Sequence, residues 1–99
     1  MLHIVNKSAG ERATLTSCLR LARPGASVLL IEDGVYAATR GNPAEAPLRA
    51  AMGTMQVYAL APDLEARGMK DAVMDGVKLV DYRGFVDLVV ASPNVQSWL

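Results

Sequence analysis

The chain has 99 residues, of which 52% are apolar and 5% aromatic, so we expect one domain over residues 1–99 with an aliphatic core. Ten basic and ten acidic residues cancel, which argues against nucleic acid or a membrane surface as a direct partner, since such binding needs a net basic field. No apolar run approaches the roughly 18 residues of a membrane-spanning helix, and the start lacks the features of a signal peptide. These totals predict a cytoplasmic α/β domain.

The first elements follow a strand–helix–strand pattern. Leu2 to Val5 predicts a strand, and apolar residues at helical spacing predict a helix from about Glu11 to Arg23, which Pro24-Gly25 ends. The apolar run that opens Val28 to Glu32 predicts a strand buried on both faces. Such a unit implies two parallel strands with a right-handed crossover.

The rest of the chain continues to alternate. Asp81 is expected to cap a last helix over Tyr82 to Ala91. Its residues Tyr82, Phe85, Val86 and Val89 recur at helical spacing and are expected to form a buried stripe. The fold class is therefore α/β, a three-layer α/β/α sandwich with a mostly parallel sheet of about five strands. The other predicted elements are a helix begun over Val35 to Thr39, a helix over Ala44 to Met52, a strand over Met55 to Leu60, the loop Ala61-Pro62-Asp63, a short helix over Leu64 to Arg67, a partly helical segment over 69–76, a strand over Val77 to Val80 and a strand over Asn94 to Leu99.

Polar residues follow the central strand at its carboxyl end, where open α/β sheets meet their ligands and partners. Asp33 and Tyr36 lie there and are candidates to position a ligand or a neighbouring subunit. A turn would explain the pair Asp33-Gly34 equally well, since aspartate and glycine are common turn residues and aspartate can cap the helix that follows. Glu32 and Asp33 are adjacent carboxylates, but successive strand side chains point to opposite faces, which disfavours an acid–base pair.

Cys18 is the only cysteine, so no internal disulfide and no cysteine metal cluster is expected. A sulfur-carrying thiolate needs a lowered pKa and some exposure. Cys18 instead shares the apolar stripe of its helix with Leu15 and Leu19, which favours a small buried hydrophobe. A single histidine, His3, leaves too few ligands for zinc.

Trp98 is the last residue but one of the 99-residue sequence. A tryptophan in that position is a candidate interface anchor, and core packing is the alternative.

Segments along essentially the whole chain resemble the DsrH/TusB family. They are L-H-I-V-N-K-S at the start, S-C-L-R-L-A in the first helix, L-L-I-E-D-G-V-Y-A-A in the central strand, V-Y-A-L-A-P-D-L-E-A-R-G at the third strand and its helix, and V-D-Y-R-G-F-V-D-L-V followed by Q-S-W-L.

The resemblance implies a DsrE/DsrF/DsrH-type fold and a cytoplasmic subunit of a sulfur-relay complex without a cofactor. The complex is a heterohexamer of two heterotrimers, in which the partners are TusC/TusD-like or DsrF/DsrE-like subunits. TusBCD takes persulfide sulfur from TusA and passes it through TusE, towards 2-thiolation of the wobble uridine of tRNA. DsrEFH works in sulfur oxidation with DsrC as the acceptor. The more general pathway, tRNA thiolation, is the first expectation, and sulfur oxidation is the alternative.

The family resemblance also bears on catalysis. The main sulfur-accepting cysteine of such complexes belongs to the TusD or DsrE partner, in the loop after its third strand. The corresponding loop here is Ala61-Pro62-Asp63, so the resemblance implies a non-catalytic or accessory subunit. Cys18 matches a first-helix cysteine of DsrH-type members and is a candidate accessory persulfide site. Two further hypotheses are a direct persulfide carrier through Cys18, and a stand-alone protein that binds a small molecule at the Asp33–Tyr36 edge.

Overall fold

A computed structural model describes residues 1–7 and 14–98, and the elements alternate along the chain as the sequence predicts. The helices and strands are β1 (Leu2–Val5), α1 (Thr14–Leu21), β2 (Ser27–Leu30), a 3₁₀ helix (Glu32–Ala38), α2 (Glu45–Ala51), β3 (Gln56–Leu60), α3 (Ala61–Ala66), a short 3₁₀ helix (Lys70–Ala72), β4 (Lys78–Val80), α4 (Tyr82–Ala91) and β5 (Val95–Trp98).

The five strands form one parallel sheet in the order β4-β3-β2-β1-β5, which confirms the predicted fold class. β2 lies at its centre, as the apolar run of the sequence indicates. The register pairs His3 with Val28 and Val28 with Val57, so these three side chains share one face. Ile4 and Leu29 pair on the opposite face.

The strand order assigns the helices to the two faces of the sheet. The chain moves in one direction from β1 to β4, so right-handed crossovers put α1, α2 and α3 on the same face. The connection from β4 to β5 runs across the sheet in the opposite direction, so a right-handed crossover puts α4 on the other face. The main core lies under the first three helices and includes Cys18 and Leu15 of α1, Leu48 of α2 and Leu64 of α3, packed on Val28 of β2.

The stretch around β2 differs from its prediction, because the strand ends at Leu30 and a 3₁₀ helix replaces the predicted strand end and helix start. The Ile31 N–H donates to the Val5 carbonyl (3.0 Å), and the Gly34 N–H then donates back to the Ile31 carbonyl (2.8 Å). A Cβ at position 34 would lie 2.3 Å from the Val5 carbonyl oxygen, so only glycine permits this approach. Glu32 and Asp33 therefore lie in a helical turn and not on opposite faces of a strand.

The predicted buried stripe of α4 is wrong. The helix has the predicted bounds, and its cap is confirmed by a 2.8 Å hydrogen bond from the Gly84 N–H to Asp81 Oδ1. Tyr82 and Val86 are nevertheless 62% and 57% exposed, and no residue of α4 is fully buried. Phe85 and Val89 are half-buried, so the described part of the chain partly covers the apolar side of the helix and leaves Tyr82 and Val86 exposed.

Two boundaries also shift. Ala61-Pro62-Asp63 forms the first turn of α3 and not a loop. Proline is tolerated there because backbone N–H groups in the first turn of a helix have no intrahelical partner, so the missing N–H of Pro62 costs no hydrogen bond. The first helix ends at Leu21, two residues before its predicted end at Arg23, and its predicted start at Glu11 lies outside the described residues.

Candidate functional site

The carboxyl ends of β2 and β3 are joined by a hydrogen bond between backbone and side chain. The Glu32 N–H donates to Asp63 Oδ2 (2.6 Å), across 31 residues of sequence. Glu32 has a φ of 49°, a left-handed conformation that is uncommon for a residue other than glycine. This hydrogen bond holds the turn after β2 against the first turn of α3.

Arg67, which follows α3, connects the two predicted edge residues. Its Nε and Nη2 donate to Asp33 Oδ1 at 3.1 and 2.9 Å, and its Nη1 donates to the Asp63 carbonyl at 3.1 Å. Its guanidinium carbon lies 6.0 Å from the ring centre of Tyr36, within the range of a cation–π contact. The hydrogen bond to Asp33 is the main cause that raises the pKa of Arg67. We call Glu32, Asp33, Tyr36, Asp63 and Arg67 the Arg67 cluster.

The Arg67 cluster has the chemistry of a recognition surface. The guanidinium neutralises the Asp33 carboxylate, and the Asp63 carboxylate accepts the Glu32 N–H, so both charges are already engaged within the cluster. Tyr36 is 38% exposed and the Asp33 side chain is 49% exposed, so both can contact another molecule.

Sequence reasoning identified Asp33 and Tyr36 but missed Arg67 and the contact that Asp63 makes. The spacing of Asp63 and Arg67, four residues apart on one helical segment, was the available signal. The contact between Arg67 and Asp33 spans 34 residues and depends on how β2 and β3 pair, which no local pattern reports.

Cys18 lies in the core, away from solvent. Its exposed fraction is 0%, and it belongs to the main core cluster with Leu15 of the same helix. Burial raises the pKa of the Cys18 thiol to about 12. A sulfur carrier needs the opposite, an accessible thiolate of lowered pKa. The geometry of Cys18 therefore favours packing.

Trp98 packs against the core cluster on the same side of the sheet as His3 and keeps part of its surface accessible. Its indole Nε1 donates to His3 Nδ1 (3.1 Å). His3 itself is only 5% exposed, and its pKa is lowered, mainly by burial.

Within residues 1–7 and 14–98, no cluster of three histidine, cysteine, aspartate or glutamate side chains has the geometry to hold a metal ion. None of the helices described is long and apolar enough to cross a membrane.

Comparison with known proteins gives the family. The family model described as DsrH like protein matches residues 7–95. The chain belongs to the DsrH family. Among DsrH relatives, it is 39% identical over 98 residues to Protein TusB of Escherichia coli K12, and 38% identical over 98 residues to Protein TusB of Pectobacterium parmentieri. Each alignment covers 99% of this chain and 100% of the relative.

Solved structures match the DsrH-family fold described above. The crystal structure of the ychN protein from E. coli superposes with a TM-score of 0.80 at 18% identity, covering 97% of each chain. The protein of unknown function MTH1491 from Methanobacterium thermoautotrophicum gives 0.77 at 20% identity, covering 97% of this chain and 95% of that one. These similarities support the α/β architecture.

Proposed function

We propose that this chain is a non-catalytic subunit of a cytoplasmic sulfur-relay complex of the TusBCD type, which supports 2-thiolation of the tRNA wobble uridine. The observation that carries the proposal is the end-to-end similarity to proteins named TusB, at 38–40% identity over 98 residues. The full length of those relatives aligns, so no domain of theirs is missing from this chain.

The position of the single cysteine supports the non-catalytic role. Persulfide transfer requires a thiolate that another protein can reach, and Cys18 is enclosed in the core. The first turn of α3, where the family resemblance puts the sulfur-accepting cysteine of the partner subunit, holds Asp63 here. The Asp63 carboxylate accepts the Glu32 N–H and so stabilises the edge. The alternative in which Cys18 carries sulfur directly requires the thiol to leave the core.

An exposed apolar face of α4 supports a role within a complex. Tyr82, Val86 and Val90 follow one another at intervals of four residues, and they are 62%, 57% and 79% exposed. We call these three residues the α4 face. An apolar stripe of this kind marks a protein interface more often than a free surface. In the proposed heterohexamer, TusC/TusD-like subunits cover the α4 face.

The Arg67 cluster supplies a second, polar contact surface. Asp33 and Tyr36 are exposed beside a guanidinium that fixes their positions. In the proposed complex this edge contacts a partner subunit and helps to shape the site around the partner's cysteine, or receives the TusE-like acceptor. No direct contact with nucleic acid is part of the proposal.

A second candidate is a subunit of a DsrEFH-type complex with a DsrC-like acceptor. It is favoured by the description of the matching family model, DsrH like protein, and by the first-helix position of Cys18. The two candidates share the fold and the non-catalytic role, and they differ in the acceptor protein that binds the complex.

The experiment is complementation of an E. coli strain that lacks its own TusB. The chain is expressed together with its own TusC- and TusD-like partners, and 2-thiouridine in tRNA is quantified by mass spectrometry. The proposal predicts that thiolation is restored, and that Cys18→Ala restores it to the same extent as the unchanged chain.

Two results would contradict it. If the complex assembles but no 2-thiouridine is formed, the TusBCD assignment is wrong, and binding of a DsrC-like protein to the same complex then supports the DsrEFH type. If Cys18→Ala assembles normally but abolishes thiolation, the chain is a direct sulfur carrier.

A further inference from the structure

A cavity opens at the amino-terminal edge of the sheet, at the opposite end of the strands from the Arg67 cluster. Its volume is about 360 Å³, which lies within the usual range of small-molecule sites. The residues that line it come from the start of β1 and from the turn between α1 and β2. They are Met1, His3, Leu21, Arg23, Pro24, Gly25 and Ala26.

His3 is the buried polar group of this cavity. Its Nδ1 accepts the indole N–H of Trp98 at 3.1 Å, and an indole nitrogen can only donate. The neutral imidazole must therefore carry its proton on Nε2. Within the described residues, no acceptor is hydrogen-bonded to this N–H, and Nε2 is not one of the fully buried unpaired side-chain atoms, although His3 as a whole is only 5% exposed. Nε2 is thus the polar atom of His3 that remains for a molecule in the cavity.

Arg23 adds a positive charge to the same cavity. Its side chain is exposed, and it forms no ion pair within 4 Å in the part of the chain that the structure describes. Among the lining residues that the structure describes, none carries a carboxylate side chain, and the two polar side chains, those of His3 and Arg23, are donors. The remaining wall is mainly apolar and includes Leu21 and Pro24.

We propose that this cavity binds a carboxylate carried on a short aliphatic stem. The His3 Nε2–H donates to one carboxylate oxygen and the Arg23 guanidinium pairs with the group, while the stem packs on Leu21 and Pro24. Two sources offer this chemistry: a free aliphatic monocarboxylic acid, or a glutamate side chain of a partner subunit. The inference concerns the full chain alone and does not depend on the proposed sulfur relay.

The test is a titration of the ¹⁵N-labelled full chain with butyrate, followed by the imidazole nitrogen shifts of His3 in NMR. Butyramide, which has the same shape without the charge, is the matched ligand. We expect a saturable shift of Nε2 with butyrate and none with butyramide. Arg23→Gln is expected to weaken binding about tenfold, as the loss of one charge-assisted hydrogen bond does. Arg20→Gln, an exposed arginine outside the cavity, is expected to leave it unchanged.

His3→Asn provides a second variant, because its side-chain oxygen can still accept from Trp98 while the Nε2 donor is lost. We expect it to remain folded and to bind butyrate weakly, with the indole N–H shift of Trp98 as the readout in place of the lost imidazole. Addition of partner subunits distinguishes the two sources. A partner glutamate is expected to shift Nε2 and exclude butyrate, whereas a free acid continues to bind in the complex. The proposal is overturned if butyrate causes no saturable shift, if butyramide binds equally, or if Arg23→Gln binds as the unchanged chain does.

Discussion

The indole Nε1 of Trp98 donates a 3.1 Å hydrogen bond to Nδ1 of His3 and thereby joins the last strand of the sheet to the first. β5 pairs with β1 in parallel, and the register sets Trp98 opposite Val5 and Gln96 opposite His3. The two rings are tilted by 40° with their centres 6.1 Å apart. Because Nδ1 can accept only when it is unprotonated, this contact requires a neutral His3.

The stability of the domain should therefore depend on pH through His3. Burial, and to a lesser extent the positive charge of the Met1 amino group, lower the pKa of His3 below its usual 6.5. The unfolded chain then binds the proton more readily than the folded chain does, so the His3 contribution is fully present above pH 6.5 and is lost as the pH falls below it. Thermal denaturation between about pH 8 and pH 5.5 measures this loss.

Two variants isolate the His3 contribution from the titration of carboxylates. His3→Asn removes the titrating group, so its melting temperature should fall less than that of the unchanged chain over the same pH range. Trp98→Phe removes the donor and should lower the free energy of unfolding by about 1 kcal/mol near neutral pH. Equal pH dependence in His3→Asn and the unchanged chain would contradict the account.

Cys18 should react slowly with thiol reagents while the domain is folded. Its burial and a pKa of about 12 leave almost no accessible thiolate near neutral pH. Labelling with Ellman's reagent should be slow in buffer and fast in denaturant. A folded domain, checked by circular dichroism, that labels as rapidly as a free thiol would show that Cys18 is accessible and would favour the direct-carrier hypothesis.

Gly34 should be among the positions least tolerant of a side chain. A Cβ there would lie 2.3 Å from the Val5 carbonyl oxygen, and backbone must move to relieve the overlap. Gly34→Ala should lower the free energy of unfolding by about 2 kcal/mol or more. Gly53→Ala is the matched control, because its Cβ would meet only the Ala50 oxygen at 3.4 Å, and it should change stability by less than about 0.5 kcal/mol. Equal effects of the two substitutions would contradict the described packing after β2.

The ion pair of Arg67 and Asp33 should matter more for partner binding than for stability. The Asp33 side chain is 49% exposed, so solvent screens the pair and Asp33→Asn should lower the free energy of unfolding by less than about 1 kcal/mol. In the proposed complex, the same substitution should weaken subunit binding about tenfold, which surface plasmon resonance can measure. Arg49→Ala breaks the 3.0 Å pair with Glu45 on α2 and serves as the control that leaves binding unchanged. If Asp33→Asn and Arg49→Ala bind partners equally well, the Arg67 cluster is not part of the interface.

Much of the fold was predictable because each strand and helix carries a local signal. The apolar run after Ser27 identified the central strand, and the bounds of α4 followed from Asp81 and the helical spacing after it. The stretch after Leu30 was not predictable in the same way. Its 3₁₀ helix depends on the close approach of Gly34 to Val5, a contact that spans 29 residues.

The candidate site was only partly predictable for the same reason. Asp33 and Tyr36 stand out because they follow a buried strand, but Arg67 joins them only after β2 and β3 pair and α3 follows. The Trp98–His3 bond links residues 95 positions apart. Helical periodicity identified the apolar side of α4. The spacing of these residues does not show whether the sheet or another molecule covers that side.

The α4 face should be needed for assembly and dispensable for folding. Val86→Asp places a charge on a side chain that is 57% exposed in the isolated chain, so the melting temperature should change little. The same charge should disrupt an apolar interface with a partner. Ala46→Asp, an exposed substitution on α2, is the control that should preserve assembly. Normal assembly of Val86→Asp would show that partners do not cover the α4 face.

Native mass spectrometry of the tagged chain, purified gently from its own cells, shows directly whether this protein works within a sulfur-relay complex. We expect a hetero-oligomer that contains this chain and two other small subunits, with a TusE-like acceptor bound at lower occupancy. Val86→Asp, purified in the same way, should be recovered without those subunits. Recovery of the unchanged chain as a monomer or a homo-oligomer, with no other subunit, would contradict the claim that it works within a sulfur-relay complex.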